Sequence, residues 1–192
     1  MIKTITLFFA LTLAGCATGN KLPVQTYDFG IADPATPPPG QDVFVADVRA
    51  AEWLGSTDML YRLEYRDPRV LTPYSASRWA GPPAAMLTTR LRLFVGNGMS
   101  TRDKQTKCSL TLFLTEFSQV FKSEQESRAI LRLRATLSEP GSGQRASVRE
   151  FSIERPAPSA DAAGEAAAFA EVVKSSAEEL NEWIDVSANC KE

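Results

Sequence analysis

At 192 residues, with 44% hydrophobic and 23% charged side chains, the chain has the size and balance of one water-soluble domain rather than of a membrane-spanning bundle or a disordered tail. A formal net charge of −2 offers nothing basic enough to neutralise phosphates, which disfavours a nucleic-acid partner. Histidine is absent, which removes a Ser-His-Asp or Cys-His triad, a His-ligated zinc site and a histidine general base together, so the reading is of a non-enzyme with no cofactor and no metal.

The chain opens as an export signal. Lys3 supplies a positive start, and residues 5–13 form an apolar run of about nine residues, short of the roughly 20 that span a bilayer as a helix. Leu13-Ala14-Gly15-Cys16 then resembles the bacterial lipobox, in which the cysteine thiol receives diacylglycerol, the peptide is cut before it and the new amine is acylated, typically with palmitate. Residues 1–15 are thus a signal peptide, Cys16 the lipidation site, residues 16–23 a lipidated tether and residues 24–192 the domain. The alternative is a soluble secreted protein with a chance cysteine at the cleavage site. One acyl chain anchors only marginally, at about 0.8 kcal/mol per buried methylene, whereas two or more hold a protein at the membrane. Ala17, in place of Asp, follows the enteric sorting rule for the periplasmic side of an outer membrane.

Residues 24–29 read as a first strand, and Pro34, Pro37, Pro38 and Pro39 enforce an open loop over 30–41. Residues 43–49 read as a strand apolar on both sides, which predicts a central position. In 58–66, Met59, Tyr61, Leu63 and Tyr65 alternate with Arg62, Glu64 and Arg66, a strand with one buried face. Pro82 and Pro83 suit the first turn of a helix over 82–96, with Leu87, Leu91, Phe94 and Val95 at helical spacing and Gly96 and Gly98 as stops. Leu110, Leu112 and Leu114 alternate until the apolar positions change register near Phe117, which predicts a bulge. Ala129, Leu131, Leu133, Ala135 and Leu137 oppose Arg128, Arg132 and Arg134 in the next strand, and Pro140 and Gly141 turn the chain into a strand over 145–155, giving an antiparallel meander. Ser159 or Asp161 can cap a final helix whose apolar stripe is Phe169, Val172, Val173, Ser176, Leu180, Trp183 and Ile184. The order β-β-β-α-β-β-β-α implies an α+β fold: a mixed or antiparallel sheet of about six strands with two helices packed on one face.

With Cys16 acylated, Cys108 and Cys190 remain, and an oxidising periplasm lets them form a disulfide that staples the last helix to the sheet. Two unpaired thiols are the alternative; no C-x-x-C spacing suggests redox catalysis. Tyr74, Arg78 and Trp79 are candidate partner contacts, since aromatics and Arg are enriched at interface cores, although Trp79 is better read as a core plug at the sheet-to-helix junction. Arg128, Arg132 and Arg134 could meet lipid phosphates, or simply be a solvated strand face. Asp47, Glu52 and Asp58 show no spacing that singles out an acid–base pair.

The stretch Met59-Leu60-Tyr61-Arg62-Leu63-Glu64-Tyr65-Arg66-Asp67, then Tyr74-Ser75-Ala76-Ser77-Arg78-Trp79-Ala80-Gly81-Pro82-Pro83 and Met86-Leu87, resembles the ABC-type transport auxiliary lipoprotein family. The resemblance implies an outer-membrane-anchored periplasmic adaptor, held by its N-terminal lipid, for a lipid transport system of ABC transporter components and an MCE-domain protein. It also raises a homo-oligomeric ring. The competing reading is an envelope-assembly or pilotin-type lipoprotein that escorts an outer-membrane protein.

Overall fold

The computed structural model describes residues 23–31, 43–95, 107–139, 141 and 146–187. Along them run β1 (Gln25–Tyr27), β2 (Val43–Val45), β3 (Arg49–Ala50), a single 3-10 turn (Glu52–Leu54), β4 (Asp58–Leu63), β5 (Thr72–Trp79), α1 (Pro83–Phe94), β6 (Cys108–Phe121), β7 (Ser127–Ser138), β8 (Ser147–Pro156) and α2 (Ala162–Ser187). The described strands make one open, mixed, eight-stranded sheet in the order β1-β5-β4-β6-β7-β8, with β2 and β3 also paired to β6. With its two helices the fold is of the α+β class, as the alternation of elements in the sequence implies.

The organising strand is β6. On one side it pairs antiparallel with β7 along its length, and β7 pairs with β8 in the expected meander. On its other side β2, β3 and β4 follow one another, all parallel to it: Val43 opposite Cys108, Arg49 opposite Phe113 and Tyr61 opposite Gln119. The register of β6 against β7 shifts between Leu114 and Glu116, where the sequence predicts a bulge. Before the shift Leu110, Leu112 and Leu114 are buried; after it Phe117 and Gln119 take over the same face. One inserted residue in a period-two pattern flips every later side chain, so the bulge keeps a single apolar face along a long strand.

The strand expected over 43–49 is not central and not continuous. It breaks into β2 and β3, each beside β6 alone. The cause lies in α1, which engages the backbone between them: Arg92 Nε donates to the Val45 carbonyl at 3.0 Å, and the Val48 N–H donates to Thr88 Oγ1 at 2.8 Å. Those groups are satisfied by a helix instead of a neighbouring strand. A further strand, β5, has no counterpart among the expected ones. It pairs antiparallel with β4 through an irregular register and parallel with β1, which brings the sheet to eight strands rather than about six.

Both helices bury their stripes in one core cluster with the sheet residues above. In α1, Pro83 opens the first turn and Leu87 and Leu91 are fully buried. In α2 the whole expected stripe from Phe169 to Ile184 is buried. Asp161 caps it: the Gly164 N–H donates to Asp161 Oδ1 at 2.8 Å, and Ser159 Oγ donates to the same oxygen at 2.7 Å. These bonds, the backbone one first, hold the Asp161 carboxyl below the usual carboxylate range. Gly164 is required here, because a Cβ at that position would lie 2.0 Å from the Ser159 carbonyl oxygen.

Candidate functional site

Two regions hold the side chains with functional potential: the sheet face opposite the helices, and the buried junction where the N-terminus of α2 meets β4, β5 and β6.

On the face opposite the helices, alternation along β6, β7 and β8 displays Phe113, Thr115, Arg132, Arg134, Glu150 and Ser152, which line an open groove of about 530 Å³. Phe113 and Trp53 are substantially exposed. The arginine row is mostly occupied by its own sheet. Arg128 bridges Glu64 at 3.2 Å and Glu154 at 2.9 Å, Arg134 lies 3.8 Å from Glu150, and Arg132 Nε donates to Ser152 Oγ at 3.3 Å. Beside them Arg62 pairs with Glu116 at 3.2 Å and lies over the Trp53 ring. Acids and bases alternate here, so the face carries no one-sided positive field to gather lipid phosphates.

At the junction, Tyr74, Arg78 and Trp79 are brought close together, but largely as parts of the fold. Trp79 is 1% exposed and packs at ring-centroid distances of 5.6–5.7 Å against Phe29, Phe117 and Phe169. Phe117 and Phe169 stack at 3.8 Å. Of its two sequence readings, Trp79 occupies the plug. Arg78 pairs with Asp58 at 3.1 Å and donates to the carbonyls of Tyr74 and Ser77, which ties down the irregular half of β5. Tyr74 lies beside Tyr61, with its hydroxyl donating to Gln119 Oε1 at 2.6 Å. Gln119 Nε2 donates in turn to Ser127 Oγ at 2.8 Å.

Glu165 lies in this same junction and has no counterpart among the expected site residues. Its side chain is 0% exposed, and neither carboxylate oxygen has a hydrogen-bond partner. Burial alone pushes its carboxyl well above the usual carboxylate range. One helical turn later comes Phe169, which contacts Trp79, whose Nε1 is likewise buried without a partner. The Tyr74 hydroxyl is pushed far up, first by burial and then by the proximity of Glu165. The only sequence signal was positional: Glu165 falls on the apolar stripe of α2, four residues before Phe169.

The other candidates are spread apart. Asp47 pairs with Arg92 and Asp58 with Arg78, while Glu52 opens the 3-10 turn at the surface. Among the described residues no three His, Cys, Asp or Glu side chains gather as a metal site, and no helix is long and apolar enough to cross a membrane. Cys108 is buried at the start of β6; Cys16 and Cys190, with the signal, the lipidation site and the proline-rich loop, lie outside the described residues.

No curated protein matches this sequence. Among solved structures, a DUF330-family protein from Xanthomonas campestris is similar with a TM-score of 0.67 and 25% identity, over 83% of this chain and 94% of its own. A second, described as an uncharacterized protein, is similar with a TM-score of 0.62 and 14% identity over 84% and 99% of the two chains, a likeness of fold alone. The family model for the ABC-type transport auxiliary lipoprotein component matches residues 27–181, from the end of β1 deep into α2 and so across nearly the whole sheet. This chain therefore belongs to the ABC-type transport auxiliary lipoprotein family.

Proposed function

We propose that the protein is a lipid-anchored adaptor of the periplasm, held at the outer membrane by acylated Cys16, that works beside an ABC permease, its ATPase and an MCE-domain protein in moving a lipid. The observation that carries the proposal is family membership across residues 27–181. An adaptor needs surfaces rather than a reaction centre, and the described residues supply surfaces: a sheet face with exposed Trp53 and Phe113, and the solvent-facing edges of Tyr74 and Arg78.

The test is to recover the native protein from mildly solubilised envelopes and identify what comes with it. MCE and ABC components at stoichiometric levels are the expected result; a secretin, a barrel-assembly factor or cell-wall machinery in their place would overturn it. In parallel, Cys16→Ser is expected to move the protein from the membrane to the soluble fraction and to abolish the mass added by acyl groups. Equal partitioning of the two forms, with no added mass on the wild type, would remove the anchor from the proposal.

We further propose that Cys108 and Cys190 are joined in the mature protein, closing a large loop worth about 4–5 kcal/mol by chain-entropy arithmetic, with any strain subtracting from it. Unfolded, unreduced protein from the periplasm is expected to show no titratable thiol. Two thiols in that assay would refute the bridge.

A further inference from the structure

The first turn of α2 is built around a group that charge does not suit. Glu165 is fully buried, both of its oxygens lack partners, and no ion pair among the described residues includes it. The neighbouring elements bring titratable or charged groups of their own, but each is engaged elsewhere. Tyr74 of β5 donates to Gln119, Tyr61 of β4 packs on Tyr74 and Phe121, and Asp161 accepts from Gly164 and Ser159. Arg155 of β8 donates to Ser175, far down the helix, and Arg149 lies over Phe151; Arg92 of α1 is held by Asp47. The helix-facing residues of β7 nearby, Ala129 and Leu131, are apolar. A neutral carboxyl is tolerated in such a place; an ionised and unpaired one is not.

We infer that Glu165 is a proton-held latch: with its carboxyl protonated the first turn of α2 stays seated on the sheet, and loss of the proton releases that turn and uncovers the aromatic cluster of Trp79, Phe117 and Phe169. Release is local because of how the helix is fastened. From Phe169 onward it is held by large buried side chains, among them Val172, Val173, Leu180, Trp183 and Ile184, whereas around Glu165 its start buries only the small Ala162, Gly164, Ala166 and Ala168, behind the Asp161 cap and a connection containing Pro158. Fraying from a terminus disrupts fewer contacts than unfolding the domain. The direction with pH follows from burial raising the carboxyl: the seated state is fully favoured below the ordinary glutamate range, and its advantage declines as pH climbs from there toward the elevated value of the folded state. Across that window the opening equilibrium rises about tenfold per pH unit.

Hydrogen exchange on the full chain, read by mass spectrometry between pH 5 and pH 9 and corrected for the intrinsic rate, tests the latch. In the wild type, peptides covering residues 162–169 are expected to lose protection by about tenfold per pH unit over part of that range, while peptides from β7 hold constant. In Glu165→Gln the same peptides are expected to be flat with pH. Should Glu165→Gln not fold, Glu165→Met, which fills the space with an apolar side chain, serves in its place. A flat wild type, a slope that survives the substitution, or equal loss of protection in β7 would each overturn the latch.

Discussion

Trp79→Ala is expected to cost about 3–5 kcal/mol of folding stability, the range for truncating a buried aromatic to alanine, and to lower Tm on the order of 10 °C for a domain of this size. The size of the loss follows from position. Trp79 is 1% exposed and is the ring that Phe29, Phe117 and Phe169 share, joining the ends of β1 and β5 to β6 and α2. Its indole N–H works in the opposite sense, since a buried donor without a partner costs about 1–3 kcal/mol. Trp79→Phe keeps an aromatic ring in the cluster and discards that donor, so its loss should be well under half that of Trp79→Ala. Chemical denaturation of the three proteins, compared at constant m-value, checks both statements; equal losses for Phe and Ala would mean that the indole N–H is satisfied.

Gly164→Ala should destabilise the protein by roughly 2 kcal/mol or more, against the direction that helix propensity alone predicts. In the interior of an exposed helix alanine is favoured over glycine by about 1 kcal/mol. Here the added Cβ would stand 2.0 Å from the Ser159 carbonyl oxygen and 2.7 Å from its carbonyl carbon, and backbone atoms cannot swing aside as a flexible side chain does. Relief requires moving the turn that carries Asp161, and with it the cap, itself worth about 1 kcal/mol. The control is Ala167→Gly, on the exposed face of the same helix, where the ordinary loss of about 1 kcal/mol is expected. Thermal unfolding that ranks Gly164→Ala at or above wild type would contradict the close approach.

The parts of the fold that were legible in the sequence are those in which one face decides everything. β7 shows its alternation openly because Ala129, Leu131, Leu133, Ala135 and Leu137 meet the core while the arginines meet solvent. The bulge in β6 was visible as a slip in that alternation, and α2 as a stripe at helical spacing. β5 was not visible: Pro73, Ser75, Ala76 and Ser77 carry no period of two, and the strand is held by the contacts of Arg78 and by pairing with β1 and β4, which local pattern does not encode. The break between β2 and β3 escaped for a related reason, being imposed by Arg92 and Thr88, some forty residues away in sequence. At the candidate site, sequence drew attention to Tyr74, Arg78 and Trp79 by residue type as partner contacts, of which Trp79 is buried in the core and Tyr74 and Arg78 are half-buried. It passed over Glu165 because a glutamate early in a helix is ordinarily a solvated residue favoured by the helix dipole; only the tertiary seat of α2 turns it into a buried acid.

The parallel row of β2, β3 and β4 along one side of β6 also sets a timetable for folding. Residues 43–45 await residues 108–110, and residues 61–63 await residues 119–121, so the first half of the chain cannot close its sheet until β6 has been synthesised. Pairings this distant along the chain bring high contact order and folding in milliseconds to seconds rather than microseconds. Until β6 is made, β2 and β3, whose sheet partner is β6 alone, stay unpaired, and only β1, β4 and β5 can pair among themselves.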